Sequence, residues 1–448
     1  MQRGQFSSRT AFIFAASGSA VGLGNIWGFP TNAAENGGAA FLMMYLVLAF
    51  TLAYPALMAE LIIGRHTRSN IVTALQTLAS SPTGKNLGKL TGMIGVLTAS
   101  LILSFYAIVA GWMIAFMLEP VAQFTGITSA TPWLTEFSAT RNMVFCLTFL
   151  LLTIMVISAG VENGIERWSC RLMPALLFLM VGLIVYVLFQ EGATEGLKHY
   201  LVPDFSEMSN PGLIISALGQ AFFSMSLGVG TMLIYGSYIR ADENLPVVGA
   251  MVTVTDTSVA FLSGLLVLPA IFVAQHLGAE IYTDNGSLIA GPDLIFQVLP
   301  TLFNHLGDVG IFISFVFFIL MTIAALTSSI SMLEVPVSYA EEVFKLNRKI
   351  ATWLIGLVIL TVSTAIILNF EQLFGFVVHV TTELAQPMLG IILCLFAGWV
   401  FHRDHILGEL KRGDPHIEDG LFWKIWPFYV KFFCPALILL TFLQGFSG

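Results

Sequence analysis

Charge is scarce in this chain. Only 10% of its 448 residues are Asp, Glu, Lys or Arg, too few to clothe a soluble globule of that size. Cysteine is scarce too. Cys146, Cys170, Cys394 and Cys434 show no metal-ligand spacing and fall in or beside apolar runs, where small packing residues are expected. The sequence has no low-complexity segment, no HExxH, no GxSxG and no paired histidines on one helical face, which argues against a membrane-embedded enzyme. Nor does the first apolar run read as a cleaved signal peptide, because it leads straight into a second run without a small-residue cleavage site. The formal charge of −8 matters less than where the charges sit, and nucleic acid is not an expected partner.

Apolar residues dominate instead: 56% of the chain is hydrophobic and the mean hydropathy is +0.85. Runs able to cross a hydrocarbon core of roughly 30 Å recur throughout. Eleven spans are expected, at 10-36, 39-63, 88-119, 142-160, 170-190, 211-239, 247-276, 305-340, 350-368, 374-401 and 421-446. The expectation is one all-α polytopic membrane domain over 1-448, embedded in a lipid bilayer. Basic residues cluster in alternate loops: Arg65, Arg68, Lys85 and Lys89, then Arg167 and Arg171, Arg240, Lys345 with Arg348 and Lys349, and finally Arg403, Lys411, Arg412 and Lys424. The opposite loops hold only Arg141 and Lys198. Positive loops stay inside, so the N-terminus is expected in the cytoplasm and the C-terminus outside. The outer segment 278-300, acidic and free of Lys and Arg, is expected to form a lid or structured loop.

Two spans contain what a membrane helix avoids. "AASGSAVGLGNIWGFP" (15-30) and "FFSMSLGVGTMLIYGSY" (222-238) each carry a serine followed by Gly-x-Gly midway along an apolar run: Gly22 with Gly24, and Gly228 with Gly230. Five spans separate equivalent points, so the halves would face opposite ways. That pattern fits an inverted repeat with paired discontinuous helices, repeats about 10-190 and 211-401 with an eleventh helix about 421-446. A continuous helix spends its carbonyls on itself. Unwinding frees carbonyls for a cation and aims half-helix N-termini at an anionic group. Span 8 adds Ala324, Thr327 and Ser328 at i, i+3 and i+4, placing one carbonyl and two hydroxyls on one face. Sodium wants such hard oxygen ligands, although these hydroxyls can also bond back to their own helix.

With "GSAVGLGNIWGFP", "AAENGGAAF" (33-41), "FFSMSLGVG" (222-230) and "ALTSSIS" (325-331) in place, the chain resembles the neurotransmitter:sodium symporter family, as a bacterial amino-acid transporter of the leucine-transporter kind. The resemblance implies sodium-coupled symport by alternating access, with two sodium ions. One site would take the Ala20 carbonyl, Asn25, Ser224 and a helix 7 residue that falls on Asp256. The other would take carbonyls of Gly18, Val21 and Ala324 with Thr327 and Ser328. An intramembrane acid such as Asp256 is a functional candidate by default. It can supply the negative charge that relatives take from chloride, and the place where other bacterial members carry Glu is Ala260, so chloride is not an expected cofactor.

The implied substrate pocket draws on Ser19, Ala20, Leu23 and Gly24 of span 1, Ile102 and Tyr106 of span 3, Phe223, Ser226, Leu227, Gly228 and Val229 of span 6, and Ser328 and Met332 of span 8. Tyr106 would hold the substrate carboxylate. The side chains Ile102, Phe223, Val229 and Met332 offer a charged substrate no partner, so small neutral, apolar amino acids are expected. Val229 stands where the leucine transporter has a bulkier aromatic. On the inner side Arg3 and Phe6 match a gate in which Arg3 would pair with Glu342 near Tyr238. On the outer side the family's arginine is Gly28 and its acidic partner Val378, so the ionic latch is missing as a pair. That leaves Tyr106 and Phe223 as a lid, with Gln220 and His379 nearby. Glu60 is expected to satisfy the unwound backbone of span 6, and Glu334 and Glu383 to serve in structural hydrogen bonds. A bacterial inner membrane is the implied location, and the oligomeric state stays open. Two rivals remain: a proton-coupled carrier of the same fold using Asp256 or Glu60, and a sensor that binds without transporting.

Overall fold

The computed structural model describes residues 4–206, 208, 210–282, 288 and 294–444. Among these, nine helices are long and apolar enough to span a membrane. They are α2 (Ala39–Thr67), α3 (Pro82–Phe124), α4 (Ala139–Ser158), α5 (Val161–Leu188), α7 (Leu245–His276), α8 (Gly307–Phe344), α9 (Arg348–Leu368), α10 (Phe370–Val400) and α11 (Leu421–Leu440). A tenth, α1, is a pair, Arg9–Ala20 and Gly24–Glu35, bent by 56° at its break. The remaining expected span, α6, is Pro211–Ser224 followed by Thr231–Gly236, its halves too short to qualify alone. The fold is all-α, with α1–α5 and α6–α10 as the two repeats and α1 and α6 broken at equivalent places. Several spans run past their expected ends, α3 starting at Pro82 rather than 88, because polar first and last turns hide from a hydropathy reading. Within the expected outer lid at 278-300, residues 283-287 and 289-293 lie outside the described residues, while Leu294–Val298 and the start of Leu299–His305 are helical.

The two breaks have different causes. In α1 the Ser8 side chain caps the first turn, and the helix ends where Val21 turns extended (φ −69°, ψ 105°). Gly22 needs no left-handed backbone there, and its value is size. A Cβ at Gly22 would run into Ser328 Oγ and lie 3.1 Å from the Tyr106 hydroxyl, so only glycine lets α1, α3 and α8 meet at one point. In α6 the issue is handedness: Ser226, Gly228 and Gly230 have φ of 52°, 85° and 82°. A non-glycine residue there is strained. The Ser226 hydroxyl offsets some of this by donating to the Ser19 carbonyl at 3.0 Å.

Unwinding strands backbone groups that no water reaches, and each must find a partner. Glu60 of α2 accepts from the Gly228 N–H at 2.7 Å and the Leu233 N–H at 3.2 Å. Thr231 Oγ1 donates to the Ser226 carbonyl at 2.8 Å, and Gln386 Nε2 donates to the Leu227 carbonyl at 2.9 Å. The second half of α6 also backs directly onto α2, since a Cβ at Gly64 would strike the Leu233 carbonyl oxygen and one at Gly236 would lie 2.8 Å from the Leu61 oxygen. Small residues at such a seam let helices approach where lipid gives no hydrophobic drive.

Candidate functional site

Between the breaks lies a cavity of about 30 Å³ lined by Ala20, Gly22, Leu23 and Gly24 of α1, Ile102 and Tyr106 of α3, Phe223, Ser224, Ser226 and Val229 of α6, Ser328 and Met332 of α8, and Gln386 of α10. That volume suits a water or two, so a larger solute has to displace side chains, Met332 being the most adaptable. No charged side chain lines it.

On one side of the cavity four polar groups converge in a dry place. Asn25 Nδ2 donates to Asp256 Oδ1 at 2.8 Å and meets Ser224 Oγ at 2.9 Å. Ser224 Oγ donates to Asp256 Oδ2 at 2.9 Å, and the Tyr45 hydroxyl donates to the same oxygen at 3.2 Å. Asn25 Oδ1 meanwhile accepts from the Gly22 N–H at 3.2 Å and so caps the second half of α1. Asn25, Asp256 and Tyr45 have no measurable solvent exposure. A carboxylate buried this deeply is expensive unless a cation or donors meet it. Here Asn25, Ser224 and Tyr45 donate to it, and its oxygens with those of Asn25 and Ser224 are the hard donors a cation takes.

On the other side, Ser328 Oγ lies 3.4, 3.2 and 3.2 Å from the carbonyl oxygens of Gly18, Ser19 and Val21. Thr327 Oγ1 lies 3.4 Å from the Val21 oxygen and 3.0 Å from that of Ala324. Thr327 thus does bond back to its own helix, whereas Ser328 reaches across to α1. Two hydroxyls and four carbonyls facing one another across α1 and α8 make a second oxygen-rich locus.

Three expected pocket residues do not line the cavity. Ser19 turns its hydroxyl to Ser331 Oγ at 2.6 Å, the Leu227 carbonyl is taken by Gln386, and the Gly228 N–H by Glu60. These groups hold the unwound frame that shapes the cavity. Tyr106 is 7% exposed and its hydroxyl accepts from the Leu23 N–H at 3.4 Å, while Phe223, at 37% exposed, faces outward. Gln220 bridges the halves of the outer side, donating to the Gly24 carbonyl at 2.8 Å and accepting from Asn32 Nδ2 at 3.0 Å. Beside it Phe296 meets Trp27, Trp112 and Phe116 with ring centroids 6.0, 5.6 and 5.0 Å apart. His379 pairs with Glu383 at 2.8 Å. Sequence reasoning missed Tyr45 and Gln386: neither belongs to a broken helix, and only packing brings them in.

Arg3 lies outside the described residues, and Glu342 Oε2 accepts from the backbone N–H and side-chain Nδ2 of Asn70, at 2.9 and 2.7 Å. Phe6 is buried, its N–H bonded to the Tyr238 carbonyl at 3.1 Å, with its ring against Phe12, Tyr235 and Tyr238. Near it Glu334, fully buried, holds Arg348 at 2.6 Å and accepts from the Tyr238 hydroxyl at 2.5 Å.

Glycine at position 22 is testable alone. Gly22→Ala drives a methyl into Ser328 Oγ and Tyr106, so sodium-dependent substrate binding should fall by about 10-fold or more, since forced overpacking costs about 1–3 kcal/mol. Gly28→Ala meets its first neighbour, Gln220 Oε1, at 3.5 Å, ordinary contact, and should bind within about threefold of the unaltered protein. Equal losses in both would remove the steric argument.

Two broken helices facing each other across a buried cavity flanked by polar clusters, in an inverted repeat of five helices each, define a secondary carrier of the discontinuous-helix class. The comparisons place it further. The model of the sodium:neurotransmitter symporter family matches residues 3–143 and 134–447. An uncharacterized sodium-dependent transporter of Bacillus subtilis, YhdH, is 32% identical, with 98% of this chain and 97% of that one aligned. The sodium- and chloride-dependent GABA transporter 2 of Rattus norvegicus is 24% identical over 99% of this chain and 80% of its own. Among solved structures, MhsT in complex with L-phenylalanine superposes with a TM-score of 0.84 at 35% identity, covering 99% of this chain and 100% of that one. This chain belongs to the sodium:neurotransmitter symporter family. It is a multi-pass membrane transporter that uses sodium, and its family and structural neighbours are carriers, not enzymes.

Proposed function

We propose that the protein takes up a small neutral amino acid together with two sodium ions. The observation that carries the reading is the cavity between the breaks: it has no charged lining side chain, yet adjoins both oxygen-rich loci. MhsT is seen with L-phenylalanine, which supports an amino acid as substrate. In this reading the Asp256 cluster with the Ala20 carbonyl holds one sodium ion. The carbonyls of Gly18, Val21 and Ala324 with Thr327 and Ser328 hold the other. The substrate carboxylate sits by Tyr106 and the first sodium, and its side chain lies among Ile102, Phe223, Val229 and Met332. Chloride is not needed, because Asp256 supplies the negative charge in the dry site itself. The N-terminus is cytoplasmic and the C-terminus extracytoplasmic, in a bacterial inner membrane, with one domain over 1-448.

The energetics suffice. A tenfold sodium gradient contributes about 1.4 kcal/mol per ion and about 100 mV adds about 2.3 kcal/mol per charge. Two ions therefore supply roughly 7 kcal/mol, and the two repeats rocking about the cavity convert it into alternating access.

The test is uptake of labelled neutral amino acids into proteoliposomes under a sodium gradient, against a potassium control. Sodium-dependent accumulation of one or more, unchanged when gluconate replaces chloride, is expected. Accumulation that follows a pH gradient without sodium would move the protein to proton coupling, and saturable binding without accumulation would make it a sensor. Loss of uptake in gluconate would refute the chloride-independent part alone.

A further inference from the structure

One side chain that lines the cavity is neither an expected pocket residue nor an expected sodium ligand. Gln386, in α10, is 2% exposed and lines the cavity together with Val229 and Met332. Its Nε2 donates to the Leu227 carbonyl at 2.9 Å. That bond fixes the orientation of the carboxamide, since turning it over would set oxygen against oxygen. The oxygen, Oε1, is thereby buried with no hydrogen-bond partner. The unwound segment of α6 and α10 touch at backbone level here: a Cβ on Gly228 would strike the Gln386 carbonyl oxygen. Gln386 is therefore held against the unwound segment near Val229, the end of the cavity assigned above to the substrate side chain. A buried amide oxygen without a donor is unfavourable and calls for an explanation. A ligand that moves Met332 aside, as the small cavity requires, can supply that donor.

We propose that Gln386 determines specificity: its Oε1 accepts a hydrogen bond from an N–H or O–H on the substrate side chain. Among neutral amino acids the transporter then prefers those with an indole, phenol or carboxamide to same-shaped ones without a donor. The inference rests on the amino-acid reading above and narrows it from apolar side chains to donor-bearing ones. The physical basis is asymmetric. A donor-free side chain leaves Oε1 buried and unpaired, whereas a donor-bearing one satisfies both partners.

The experiment uses the full chain, purified, with sodium-dependent binding measured for matched pairs: tryptophan against its sulfur isostere 3-benzothienylalanine, tyrosine against phenylalanine, and glutamine against methionine. The readout is the affinity ratio within each pair, which a general loss of stability does not move. At least one pair should favour the donor-bearing member by about tenfold or more, and Gln386→Met should bring that ratio close to one. The unaltered protein decides by itself if the variant fails to fold. No donor preference in any pair overturns the inference, as expected if a water serves Oε1, and so does a preference that survives Gln386→Met. Both leave the amino-acid reading standing. Binding of none of the six in sodium overturns that reading and this inference with it.

Discussion

Replacing Asp256 with alanine is expected to weaken sodium binding by about 100-fold or more and to abolish sodium-driven uptake. The carboxylate is the only formal negative charge in its cluster, and it is the acceptor on which Asn25, Ser224 and Tyr45 all converge. Its removal strips the proposed first sodium of an anionic ligand and leaves three buried polar groups with one acceptor fewer. Hydrogen bonds to a charged group are worth about 1.5–3 kcal/mol each, and a factor of 100 in affinity is about 2.8 kcal/mol. Asp256→Asn separates shape from charge. It keeps an oxygen and the size, so sodium binding should survive at lower affinity. It removes the charge, so uptake by this variant should come to depend on chloride where the unaltered protein's does not. Sodium titration with and without gluconate replacement reads both. Full sodium affinity in Asp256→Ala would move the first sodium elsewhere.

The second large effect is expected on the face that carries the N-terminus. Arg348 joins four segments there: it holds Glu334 of α8 at 2.6 Å, Glu341 at 2.9 Å and the Ile157 carbonyl of α4 at 2.8 Å, while Glu334 also takes the Tyr238 hydroxyl just beyond α6. A buried pair is weak support for stability as a whole, but removing one partner costs about 3–5 kcal/mol because the other charge stays buried alone. Arg348→Ala is expected to lose stability on that scale, seen as a lower Tm in detergent, and to expose cysteines placed on this side of the cavity to a membrane-impermeant thiol reagent. Arg348→Met with Glu334→Gln removes both charges and should recover most of the stability. If the double variant is as unstable as the single one, the pairing is not what holds this face closed.

The sites of the breaks were legible because a serine followed by Gly-x-Gly recurs at equivalent places in the two halves, and the trio Ala324, Thr327, Ser328 because helical spacing alone puts three residues on one face. The spans were legible from hydropathy, with ends displaced where polar turns continue a helix. Tyr45 and Gln386 were not legible. Each sits in an ordinary helix, α2 or α10, and its role comes from a neighbour about 180 or 160 positions away in sequence, Ser224 for one and Leu227 for the other. Glu334 shows the same limit: its place in a span marked it for structural hydrogen bonds, but only the packing of α9 against α8 makes Arg348 its partner.

By itself the sequence determined the class of solvent, the rough position of the spans, the two places where a helix had to open, and the residue types that could meet a cation there. These follow from local physics: hydrophobicity, glycine's small size and conformational freedom, and helical periodicity act within a few residues. The tertiary structure decided which hydroxyl reaches across rather than back, which carboxylate is spent on backbone and which gathers side-chain donors, and which amide oxygen stays unpaired in the cavity. Those outcomes depend on distances between helices far apart in the chain, and in a dry interior such distances decide whether a polar group is satisfied or free to bind.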